Sequence, residues 1–80
     1  MKVVIRNVKT GLYSNLHGWV NDVENAHDFV RGAVAIGFAM QNGLSDVEVL
    51  HAFPESRYNI STGAMSFQKR HRVENALTGS

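Results

Sequence analysis

Four histidines, at positions 17, 27, 51 and 71, are the side chains in this 80-residue chain best suited to hold a metal ion or carry a proton. Their spacing argues against a metal. No two stand at i, i+4 or as H-x-H, the arrangements that present two imidazoles to one ion, and no carboxylate completes a set. The chain contains no cysteine, which removes thiolate sites and disulfides together and fits a reducing compartment. Nucleophilic catalysis needs a Ser, Thr or Cys beside a base, yet the serines lie in turn-like stretches or near the C-terminal end. Asp22, Glu24 and Asp28 read as helix-cap charges rather than an acid–base pair. The seven glycines are scattered and form no phosphate-cradling loop. These residues predict a protein that is not an enzyme and uses no cofactor or metal.

Two other constellations carry binding chemistry. Lys69-Arg70-His71-Arg72 is the one local basic cluster, and Phe67 stands close to it. Cations there can grip phosphates while the ring stacks a base, which is a nucleic-acid-binding arrangement; a solvated tail accounts for the same run. With eight Lys and Arg against seven acidic residues, the formal charge is only +1, so no field of the whole molecule favours polyanions. The second constellation is apolar. Between Val30 and Gln41 only Arg31 is charged, and Ala35, Ile36, Ala39 and Met40 make the remainder apolar beside the periodic residues. A helix apolar all round is normally covered on both sides, and one sheet covers one side. Ile36, Met40 and Ala39, with Arg31 at the edge, are therefore the expected contact surface for a second copy or another protein. The competing expectation is that residues 22–29 or the C-terminal tail fold over that side. Gly32 and Gly37 lower helix propensity and point to close backbone approach by a neighbour.

The elements that must position these residues follow from periodicity. Lys2 to Lys9 is rich in β-branched residues and runs into Thr10-Gly11, a tight turn. Leu12-Tyr13-Ser14 resumes as a second, irregular arm that bends at Gly18 and continues through Trp19-Val20. Asp22 caps one helical turn. Asp28 caps the main helix, whose stripe is Val30, Ala33, Val34, Gly37 and Phe38, and Asn42-Gly43-Leu44 ends it. Asp46 to Phe53 alternates, with Val47, Val49, His51 and Phe53 on the inner row, and after the turn at Pro54 the stretch Tyr58 to Thr62 returns as the last strand. Trp19 and Tyr13 are expected to fill the core. The predicted fold is α+β, ββαββ, a four-stranded antiparallel or mixed sheet with one main helix packed on one face. Residues 1–64 form the single domain, and 65–80 form a C-terminal extension, a frayed helix or a disordered tail. The run Ala33 to Met40 is too short to span a bilayer, and Arg6 arrives too early for a secretory segment, so a cytoplasmic protein without membrane contact is expected.

Val3-Val4-Ile5, Thr10-Gly11-Leu12-Tyr13, Gly18-Trp19, Asp22, Ala26 with Phe29, Asn42-Gly43-Leu44, Val47-Glu48-Val49, and Phe53 with Tyr58 form a pattern that resembles a family of small uncharacterised bacterial and phage proteins of similar length. The resemblance covers roughly the first three-quarters of the chain. It implies a fold and no activity, since that family carries no assigned catalytic residues. Gly32 to Met40 departs from it, because the relatives carry a charged outer helix face.

Overall fold

In the computed structural model, which describes residues 1–67, the sheet has five strands in the order β3-β2-β1-β4-β5, and every pairing between them is antiparallel. The strands are β1 (Lys2–Asn7), β2 (Tyr13–Ser14), β3 (Trp19–Val20), β4 (Val47–Ala52) and β5 (Ile60–Ser61), with helix α1 (Gly32–Gln41) between β3 and β4. The small α+β class holds. The four-stranded ββαββ order does not, because the single irregular arm expected from Leu12 to Val20, bent at Gly18, reverses in its middle and forms two strands. Asn15 closes that reversal. Its backbone N–H donates to Gly18 O at 3.0 Å, its side-chain oxygen accepts from the N–H groups of His17 and Gly18, and Leu16 takes φ 79°. Ser14 thereby pairs with Trp19 and Tyr13 with Val20.

β1 and β4 form the centre because both of their faces are apolar. Val3, Ile5, Val47 and Val49 pack with Ala35, Ala39 and Phe29 on the helix side. Val4, Leu50 and Ala52 pack with Ala26 on the other side, where Tyr13, Val20 and Val23 complete the cluster. On that second face Arg6 lies opposite Glu48 in the ladder, with a 2.9 Å ion pair, and the Ser61 hydroxyl also donates to Glu48. The hydrogen bond to Glu48 raises the Arg6 pKa above its already high ordinary value.

Residues 22–29 carry the chain from one face to the other. The 3₁₀ turn Val23–Asn25 is capped by Asp22, as the sequence predicts, and its last carbonyls converge on Lys2, whose Nζ donates to Val23, Glu24 and Ala26 O at 2.9, 2.9 and 3.0 Å. The segment therefore covers the second face and leaves the outer side of the helix alone. β2 pairs with β1 only at Arg6 and Tyr13, which leaves the Val3 end of β1 open for the crossing chain. Phe29 N–H donates to Val3 O at 2.8 Å, and one oxygen of Asp28 accepts from Val3 N–H at 3.0 Å and Val30 N–H at 2.8 Å.

Asp28 is therefore not the helix cap. The N-cap is Arg31, without a side-chain hydrogen bond, and Val30 before it is held at φ 70°, a conformation that penalises β-branched residues. The helix ends as its sequence predicts. Gly43 takes φ 60°, its N–H donates to Met40 O, and Leu44 N–H donates to Ala39 O, which is the Schellman pattern with Leu44 folded onto the core. Met65 bridges to Val47 and Phe67 N–H donates to Leu44 O at 2.7 Å, so the first residues of the expected extension lie against the domain. The rest of the extension expected over residues 65–80, from residue 68 onward, lies outside the described residues.

Two stability measurements follow. Asp28→Ala removes the acceptor of two backbone N–H groups and should cost about 1–2 kcal/mol in urea unfolding near neutral pH. The two N–H groups hold the Asp28 pKa below the ordinary carboxylate range. Its contribution is therefore complete above about pH 4 and is lost as pH falls through the lower folded value. The difference between Asp28→Ala and the native chain should shrink over that acid window. Val30→Gly relieves the positive-φ penalty at a side chain that is 70% exposed, and should raise thermal stability by up to about 1 kcal/mol.

Candidate protein-docking surface

Helix α1 meets the sheet through two alanines. Ala35 and Ala39 are fully buried, which lets the helix axis come close to the Val3, Ile5, Val47 and Val49 side chains. Ile36 and Phe38 flank that row, half-buried against the same core, and the Phe38 ring lies 5.1 Å from Phe29. The expected stripe of Val30, Ala33, Val34, Gly37 and Phe38 is thus not the core face. Val30 lies outside the helix, and Ala33 and Val34 are exposed. At 3.6 residues per turn, Gly37 falls at the centre of the side opposite Ala35 and Ala39, flanked by Ala33, Val34, Met40 and Gln41. Val34 is 52% exposed and Met40 is 50% exposed.

The residues expected to form the contact surface divide between the two sides. Met40 and Arg31 are exposed, Ile36 is half-buried, and Ala39 belongs to the core and cannot touch a partner. On the outer side Val34 and Ala33 are exposed. Their exposure was not readable from periodicity, because the helix is apolar on both sides and either phase satisfies the pattern. Residue size does not separate the phases either, because Ala35 and Ala39 stand at i, i+4 and so do the equally small Ala33 and Gly37.

The two helix glycines separate the same way. A side chain at Gly32 would meet the His51 ring, with Nε2 3.5 Å from the added carbon, so the close neighbour there is the chain's own strand β4. At Gly37 an added carbon meets nothing within 4 Å. No contact within the described residues requires a glycine at that position.

Beyond the helix C-terminus α1 faces the β2–β3 hairpin. A shallow hollow of about 190 Å³ lies between Leu16 and Trp19 on one side and Phe38, Asn42 and Leu44 on the other, with Ser14 at its floor. Trp19 is exposed, whereas Tyr13 joins the second core cluster. A second cleft, of about 330 Å³, lies at the opposite end between Met1, Val23, Ala52, Phe53 and Pro54. Lys2 also lines it, but all three of its ammonium donors serve backbone carbonyls.

The titratable residues do not converge. Among the described residues no three of His, Cys, Asp and Glu are grouped to hold a metal ion. His27 packs edge-on against Phe29 at 4.6 Å, His51 sits half-buried beneath Gly32, and His17 is exposed in the hairpin turn. His71 lies outside the described residues together with Lys69, Arg70 and Arg72, the basic cluster of the nucleic-acid reading. Phe67, the ring expected to stack a base, is half-buried against the helix-side core. Among the described residues no helix is long and apolar enough to cross a membrane. No protein-family model, curated protein or solved structure matches the chain.

The two sides of α1 make opposite forecasts for the same substitution. Ile36→Glu places a carboxylate against the core and should lower unfolding free energy by about 2 kcal/mol or more, whereas Val34→Glu should change it by no more than about 0.5 kcal/mol. Urea titration of the two variants at a concentration that keeps the chain monomeric checks both.

Proposed function

We propose that this chain is a non-catalytic interaction module that docks protein through the outer face of α1, with a second copy of itself as the occupant. The observation that supports this most directly is the exposure of Val34 and Met40 on either side of Gly37, on a helix whose opposite side already satisfies the sheet. From Gly32 to Ser45 the chain holds no charged residue. Such a face is poorly suited to water and well suited to the core of an interface, where charge is depleted. A second copy meets it with an equally uncharged face, so no charge has to be desolvated.

The helix is only ten residues long, about 15 Å, and its face is smaller than a standard protein–protein interface. The association is accordingly weak. Light scattering should show the mass rising from one chain toward two between about 10 μM and about 1 mM, the range of a sub-standard interface. Val34→Glu should hold the mass at one chain throughout while leaving the circular dichroism spectrum unchanged. A native chain that stays monomeric up to about 1 mM overturns the reading.

A further inference from the structure

We infer that Asn42 is a site of spontaneous deamidation which the end of α1 holds shut, so that the acidic product marks chains in which that turn has opened. Among the asparagines of the chain only Asn42 precedes a glycine. With no Cβ on the following residue, nothing shields the Gly43 nitrogen from the Asn42 side-chain carbonyl carbon. Hydroxide removes the Gly43 N–H proton, the nitrogen attacks Asn42 Cγ, the Cγ–Nδ2 bond breaks, and ammonia leaves after taking a proton from water. A five-membered cyclic imide remains. Water then opens the ring at one of its two carbonyls, giving aspartate at position 42 or, where the main chain is rerouted through Cβ, isoaspartate.

The folded helix end occupies both reacting groups. Asn42 is the exposed C-cap residue of α1, its Nδ2 donates to Phe38 O at 2.8 Å, and Gly43 N–H donates to Met40 O at 3.2 Å. The Asn42 ψ of 1° turns the Gly43 nitrogen away from the side chain it must reach. Leu44 locks the turn, with its N–H on Ala39 O, its side chain against the core, and its carbonyl accepting from Phe67 N–H. Ring closure therefore waits for the turn to open. The product closes it less well. A carboxylate cannot donate to Phe38 O, and it sets a negative charge at the negative end of a helix whose last turn has no basic residue. Isoaspartate also adds a methylene to the main chain, which carries Gly43 and Leu44 off their carbonyl acceptors.

Mass spectrometry of the full chain, held at mildly alkaline pH with and without guanidinium chloride and then cut into peptides, follows the loss of the Asn42 amide. The native chain should react at least about tenfold more slowly than the unfolded one, a ratio set by the free energy of opening the turn. Leu44→Ala releases the lock and should raise the native rate by at least about threefold. Asn42→Gln, which would need a six-membered ring, should stay unmodified in both conditions. Chains aged to completion and refolded, and the Asn42→Asp variant, should unfold at a lower urea midpoint than the native chain. Hydrogen exchange at the Gly43 and Leu44 amides gives the open fraction without any variant, and that fraction multiplied by the unfolded rate should match the native rate within about threefold. Equal native and unfolded rates, or a mismatch beyond about tenfold, overturn the gating by the helix end. An unfolded chain that keeps its Asn42 amide, or loses that of another asparagine first, overturns the site itself.

Discussion

The architecture depends on one carboxylate oxygen. Asp28 accepts from Val3 at the start of the sheet and from Val30 just before the helix, and so fixes where the chain passes from one face of the sheet to the other. Everything on the helix side, including which flank of α1 meets the core, is placed by that crossing. Everything on the second face, including the turn that Lys2 binds through three carbonyls, arrives before it. Val30 bears the cost, a β-branched residue in left-handed backbone, compensated by the hydrogen bonds on either side.

Burying both faces of β1 and β4 explains how a cysteine-free chain of this size holds a core without staples. A sheet covered on one side offers half of its side chains to the interior. Here Val3, Val4 and Ile5 in succession are all buried, as are Val47, Val49, Leu50 and Ala52 in β4. The coverage is uneven in kind: a regular helix lies on one face, and a single 3₁₀ turn with the side chains of Tyr13 and Val20 lies on the other.

Local chemistry was legible wherever a residue acts on its immediate neighbours. The Asp22 cap, the Gly43 stop with Leu44 folding back, and the alternation of β4 all depend on spacings of one to five residues. Tertiary choices were not. Asp28 is the right residue type for a helix cap, and only the unpaired N–H of Val3, twenty-five positions away, turns it into a stitch between elements. The hairpin turn at Asn15 was hidden because Leu16, rather than a glycine, adopts the left-handed conformation. The helix phase was hidden for a different reason. When Val34 and Met40 are as apolar as Ala35 and Ile36, periodicity states that a helix exists and is silent on which way it faces. The surplus of apolar residues was visible from the start; the members of the exposed set were not.

The partly buried pair of Arg6 and Glu48 has a consequence for how the strands find one another. Alternating polarity normally forbids a strand from sliding, because a one-residue shift would expose the interior row. β1 lacks that safeguard, since Val3, Val4 and Ile5 are buried in succession on both faces. Sliding β4 by one place would set the guanidinium opposite Val47 or Val49, and sliding it by two would set it opposite Asp46 or Leu50. Only the native alignment gives Glu48 both the guanidinium and the Ser61 hydroxyl. The pair thus acts as an index mark on the β1 side of the ladder, and its worth lies in excluding misaligned sheets more than in the free energy of one ion pair.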